Sequence, residues 1–95
     1  MLEKVKLALR ITTGDFDEEL SDLISAAYAD LGIVGVNAST IMYDSLIIRA
    51  VITYCRIHFG EPEDYDRLKK SYDEQKAQLS NSSDFSDYSM VNGNE

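Results

Sequence analysis

Asp15, Asp17, Glu18 and Glu19 form the densest group of potential ligand side chains in the chain. Carboxylates packed this closely can hold a divalent cation, but their spacing is not that of a calcium loop, which needs oxygens at alternate positions closed by a distal glutamate. Capping of a helix start and a solvated acidic face account for them more simply. His58 is the only histidine and Cys55 the only cysteine. The imidazole, on the apolar side of a helix near its end, reads as a core or helix-end residue. The thiol reads as a small core hydrophobe. Without a second cysteine there is no internal disulfide and no paired metal-ligand spacing, which fits a reducing compartment or a chain that needs no redox chemistry. No glycine-rich phosphate loop, zinc-ligand motif or nucleophile elbow occurs. The sequence therefore points away from an enzyme and calls for no cofactor or metal. Two triplets, Asn37-Ala38-Ser39 and Asn81-Ser82-Ser83, match the letters of a glycosylation acceptor but carry no weight without a secretory signal.

The remaining chemistry is charge. Seventeen acids against nine bases give a net charge of −8. That balance disfavours binding to nucleic acid by phosphate neutralisation, which depends on Lys and Arg displacing counterions. The N-terminal residues do not form a signal peptide, and no apolar run approaches the roughly 18 residues needed to span a bilayer, so a soluble protein without a membrane partner is expected. Ninety-five residues allow one domain with a modest core, and help from neighbouring subunits would suit it.

The elements that position these groups are helices. Leu2, Val5, Leu7, Ala8 and Leu9, with Glu3, Lys4 and Lys6 between them, predict a short amphipathic helix ending near Arg10. After a turn at residues 11–14, Asp15 and Glu18 have capping-box spacing. A second helix follows to Leu31, with Gly32 as its left-handed cap. Phe16, Leu20, Leu23, Ile24, Ala27, Tyr28 and Leu31 make its apolar face. Asp15, Glu18, Glu19, Asp22 and Asp30 lie on the opposite arc, and no basic residue occurs between Arg10 and Arg49 to neutralise them.

A third helix, about residues 44–59, is apolar over most of its circumference and should be the most buried element. Ser45, Arg49, Thr53 and Arg56 collect into one narrow polar stripe on it. That stripe needs acidic partners, either across the domain on the second helix or on a neighbouring copy; nucleic acid is a third possibility. Gly60 and Pro62 stop this helix. A fourth, about residues 63–79, carries Tyr65, Leu68, Tyr72 and Leu79 on a heptad-like seam, with Glu63–Arg67 and Asp66–Lys70 as pairs four residues apart.

The fold class is thus all-α, a small four-helix domain over residues 1–79 with an extended polar C-terminal tail over residues 80–95. The segment 33–43 is a loop with unusually apolar content, including Val36, Ile41, Met42 and Tyr43, which either folds over its own core or meets a neighbour. The tail is rich in Ser, Asn and Asp, with Phe85, Tyr88, Met90 and Val91 as its apolar anchors. Alone it should be disordered, because ordering costs on the order of 1–2 kcal/mol per residue. A partner surface is expected to order it.

With these elements placed, the sequence resembles the head-tail connector family of tailed bacteriophages, the small helical adaptors that dock beneath the portal. The resemblance rests on Leu9-Arg10-Ile11 followed by Asp15-Phe16-Asp17-Glu18-Glu19-Leu20, on Leu23-Ile24-Ser25-Ala26-Ala27 with Asp30-Leu31-Gly32, on Ala50-Val51-Ile52-Thr53-Tyr54 and Phe59-Gly60, and on Tyr72-Asp73 leading to Leu79. Each motif is weak alone; their order and spacing over residues 2–88 carry the likeness. The resemblance implies a non-enzymatic virion protein, made in the host bacterial cytoplasm. It further implies assembly into a homo-oligomeric ring of about twelve copies, in which one surface of a subunit meets a different surface of the next. Such a ring would bind the phage portal protein on one side and a tail-side neck or stopper protein on the other, and DNA would pass through its channel without specific binding. In that setting the acidic second helix, with Glu19 and Asp22, and the Arg49, Arg56 stripe would be complementary subunit surfaces, joined by Val36, Ile41, Met42 and Tyr43. The tail, through Phe85, Tyr88, Met90 and Val91, would strap the subunit to the portal. The competing expectation, from a different class, is an acidic helical regulator that binds a host protein.

Overall fold

The computed structural model describes residues 1–38 and 44–81. Four helices follow in order: α1 (Leu2–Leu9), α2 (Asp17–Ile33), α3 (Ser45–His58) and α4 (Tyr65–Ser80). Helix α3 is the hub and packs against each of the other three. Ile47, Ala50, Val51, Cys55 and Ile57 of α3 are buried, as the near-continuous apolar run requires. Val5 of α1, Leu20, Ile24, Ala27 and Leu31 of α2, and Tyr72 and Leu79 of α4 close around them.

Both α1 and α2 end in the same device. Ile11 N–H donates to Lys6 O at 2.9 Å and Arg10 N–H to Leu7 O at 3.2 Å, with Arg10 in the left-handed region at φ 59°. At the end of α2 the equivalents are Val36 N–H to Leu31 O at 3.0 Å and Gly35 N–H to Gly32 O at 3.0 Å, with Gly35 at φ 87°. These are Schellman closures, which satisfy carbonyls that a helix end leaves open. The left-handed cap of α2 is therefore Gly35 and not the expected Gly32, which stays helical while the chain continues to Ile33. The added turn brings Val36 to the core, where it is 1% exposed.

The start of α2 also differs from expectation. A turn in which Asp17 N–H donates to Gly14 O at 3.2 Å places Phe16, not Asp15, at the cap position, and no side chain caps the helix. Phe16 instead meets the Phe59 ring edge-on at 5.3 Å, tying the start of α2 to the end of α3. Asp17, the first residue of α2, lies 2.7 Å from the Lys6 ammonium of α1, close but without hydrogen-bond alignment. A ring contact and an inter-helix ion pair thus replace the capping box. Helix α3 does have a side-chain cap: Asp44 Oδ1 accepts from Leu46 N–H at 2.9 Å.

On α4 the expected pairs Glu63–Arg67 and Asp66–Lys70 are replaced by Asp64–Arg67 and Lys69–Asp73. The helix begins only at Tyr65, so Glu63 lies outside the helical geometry that a four-residue pair needs. The seam is intramolecular at Leu68, Tyr72 and Leu79, whereas Tyr65 remains 45% exposed.

Cys55 is fully buried, and burial pushes its thiol up to about 12. Because the thiolate is the reactive species, native protein at neutral pH should react with an aromatic disulfide reagent only as fast as it opens. Labelling should accelerate strongly in denaturant; rapid labelling of native protein would place Cys55 elsewhere.

Candidate subunit interface

Three polar constellations remain once the core is assembled. The first is the outer arc of α2. Leu20, Ile24, Ala27 and Leu31 point inward, so Glu18, Asp22 and Ser25 fall on the far side of the helix, with Glu19 and Ser21 at its two edges, and all five are exposed. Among the described residues none of these three carboxylates has an ion-pair partner. Asp30 leaves this arc, contrary to the expectation from sequence. It turns toward α4, accepts from the Tyr72 hydroxyl at 2.5 Å and pairs with Lys76 at 3.2 Å.

That contact is the second constellation. Burial works against the Asp30 charge, but the Tyr72 hydroxyl and the Lys76 ammonium outweigh it and hold the carboxyl below its ordinary value. Tyr72 is driven the other way: burial, then donation to Asp30, keeps its hydroxyl protonated well above the usual tyrosine range. The Lys76 ammonium also sits 5.3 Å from the centre of the Tyr72 ring. Tyr54 stacks edge-on with Tyr72 at 5.5 Å and contacts the His58 ring at 4.3 Å. His58 is thus a helix-end residue exposed to solvent, not one facing the core. The cluster bolts the C-terminal half of α2 to α4.

The third constellation is a groove of about 300 Å³ between α3 and α4, lined by Arg49 and Arg56 from α3 and by Arg67, Ser71 and Gln75 from α4. Three of the four arginines in the chain meet here. Thr53, placed on the same stripe by sequence, is almost fully buried and turns its hydroxyl back to the Arg49 carbonyl at 2.9 Å. Arg56 donates to the Ala8 carbonyl of α1 at 3.1 Å, and Arg67 pairs with Asp64. The expected link from Arg49 or Arg56 to the acids of α2 within the subunit does not form among the described residues. The Gln75 Oε1 atom is buried without a donor.

Sequence reading found Arg49 and Arg56 but missed Arg67, because it lies on another helix and the only available signal was its place on the α4 face next to the Leu68, Tyr72 seam. Of the other expected interface residues, Glu19 and Asp22 are exposed and Val36 is taken up by the subunit's own core. Ile41, Met42 and Tyr43 lie outside the described residues, as do the expected portal anchors Phe85, Tyr88, Met90 and Val91. Among the described residues no cluster of His, Cys, Asp or Glu could hold a metal ion, and no helix is long and apolar enough to cross a membrane. What the arrangement offers is electrostatic docking on two separate faces.

Comparison with known proteins agrees with a docking role. A family model described as phage connector protein matches residues 1–86. No curated protein matches, and no solved structure matches.

Proposed function

The chain belongs to the phage connector protein family, and from that membership we propose that it forms a ring beneath the portal of a tailed phage, extending the DNA channel and joining head to tail. A connector role in the phage particle, in contact with other head and tail proteins, follows from the family itself. The finer reading concerns geometry and stoichiometry: about twelve copies related by rotation, each presenting one surface to the next and another to its predecessor. The family match carries the proposal, and the two patches of opposite charge on one subunit support it. The acidic balance of −8 suits a channel wall, because like charge denies passing duplex DNA the counterion-release binding that a basic wall would offer. In this reading Glu19, Asp22, Arg49 and Arg56 lie between subunits, with Ile41, Met42 and Tyr43 beside them. The segment 80–95, through Phe85, Tyr88, Met90 and Val91, docks on the portal, and a tail-side neck protein binds below.

Electron cryo-microscopy of purified particles tests this directly. The expected result is a ring of this chain, about a dozen copies, between portal and tail. One or two copies per particle, or none, would sink the ring and favour a soluble regulator of a host protein.

A further inference from the structure

We propose that the arginine groove between α3 and α4 is the seat for the acidic outer arc of α2 from a second copy of this chain. The inference rests on the ring reading and deepens it by naming both halves of the contact. The groove gathers Arg49, Arg56 and Arg67, and only Asp64 offsets them there. In a chain of net charge −8 this is a marked concentration of positive charge. The complementary surface is on the same molecule yet unused by it: Glu18, Glu19 and Asp22 are exposed and without ion-pair partners among the described residues.

A second observation points to an occupant with donors as well as charge. Gln75 lines the groove, and its Oε1 is buried with no donor, which is a costly state for an amide oxygen. The outer arc of α2 carries Ser21 and Ser25 beside its acids, and both hydroxyls are exposed. The repeat also fits. Arg49 and Arg56 are two helical turns apart, about 10 Å, which leaves room for Glu18 and Asp22, one turn apart at about 6 Å. Arginine forks bind carboxylates in pairs of parallel hydrogen bonds, so the groove prefers carboxylates in fixed register to a diffuse negative surface. Because donor and acceptor faces differ, the contact is head-to-tail and propagates from copy to copy.

Charge exchange tests it. In the R49E/R67E variant the groove turns acidic; in E18K/D22K the outer arc of α2 turns basic. All four positions are exposed, and circular dichroism should report unchanged helix content. Wild-type chain is expected to associate in sedimentation velocity at roughly 100 μM, and each variant alone to weaken that association by at least about tenfold. Association of the wild type should also fall as salt is raised. An equimolar mixture of the two variants should assemble again, since every groove then meets an arc of opposite sign. A wild type that stays monomeric, variants that associate like the wild type, or a mixture that fails to recover would each overturn the contact. So would duplex DNA binding by the wild type that is lost in R49E/R67E, which would assign the arginines to phosphate. None of these outcomes decides whether the particle contains a ring, which imaging tests separately.

Discussion

Ile47→Ala should lower the unfolding free energy by about 2–5 kcal/mol, the range for removing most of a buried aliphatic side chain. Ile47 is fully buried in the first turn of α3, the helix that touches every other one. The truncation leaves a void that neighbours on different helices cannot all move to fill, so the loss includes the missing contacts as well as the transfer term. In a domain this small each kcal/mol shifts the melting temperature by about 4–8 °C. Urea titration at neutral pH should show a lower midpoint with an unchanged slope. The control is Leu7→Ala, at a position 81% exposed, which should stay within about 0.5 kcal/mol of the parent. Equal effects at the two positions would mean that α3 is not the centre of the core.

The second large effect is expected at the bolt between α2 and α4. Tyr72→Phe keeps the ring and its contacts with Tyr54 and Lys76 but removes the hydroxyl that donates to Asp30. A hydrogen bond to a charged acceptor contributes about 1.5–3 kcal/mol, and because Asp30 keeps Lys76 and some water, the loss should fall near the lower end. The pH dependence makes the test specific. The Asp30 carboxyl is held below its ordinary value in the folded state, so its contribution is complete above the unfolded-state pKa and is lost as pH falls through the folded one. The wild type should therefore lose stability on acidification below the ordinary carboxylate range more steeply than Y72F. Parallel curves for the two proteins between neutral and acid pH would show that the hydroxyl does not hold the carboxylate charged.

Much of this was legible in the sequence. The near-continuous apolar run of α3 announces the hub, and the spacing of Leu20, Ile24, Ala27 and Leu31 fixes which side of α2 is buried. Gly60, at φ 75°, marks the end of α3 as a sequence glycine should. Helix ends were harder where tertiary contacts competed with local rules. Asp15 and Glu18 have capping-box spacing, yet Phe16 takes the cap position and packs on Phe59, a partner 43 residues away that no local pattern reveals. Arg10 adopts a left-handed conformation that composition would assign to glycine, because the closure that brings Ile11 back over α1 requires it. The candidate interface divides in the same way. The acidic arc of α2 and the Arg49, Arg56 stripe each lie on one helix and follow from its period. The groove needs Arg67 and Gln75 from α4, and the Asp30–Tyr72–Lys76 cluster joins residues more than 40 positions apart. Such features depend on how helices pack, which periodicity does not specify.

The hub position of α3 also bears on how the chain reaches its native state. α1, α2 and α4 all rest against that one rod, so each loses a large part of the cover over its apolar face if α3 melts. The domain should consequently lose structure in a single concerted transition, without a stable half-formed species. Most of its contacts join helices adjacent in the chain, a topology that favours rapid folding. A freshly made subunit is then briefly exposed to aggregation and arrives at assembly already shaped.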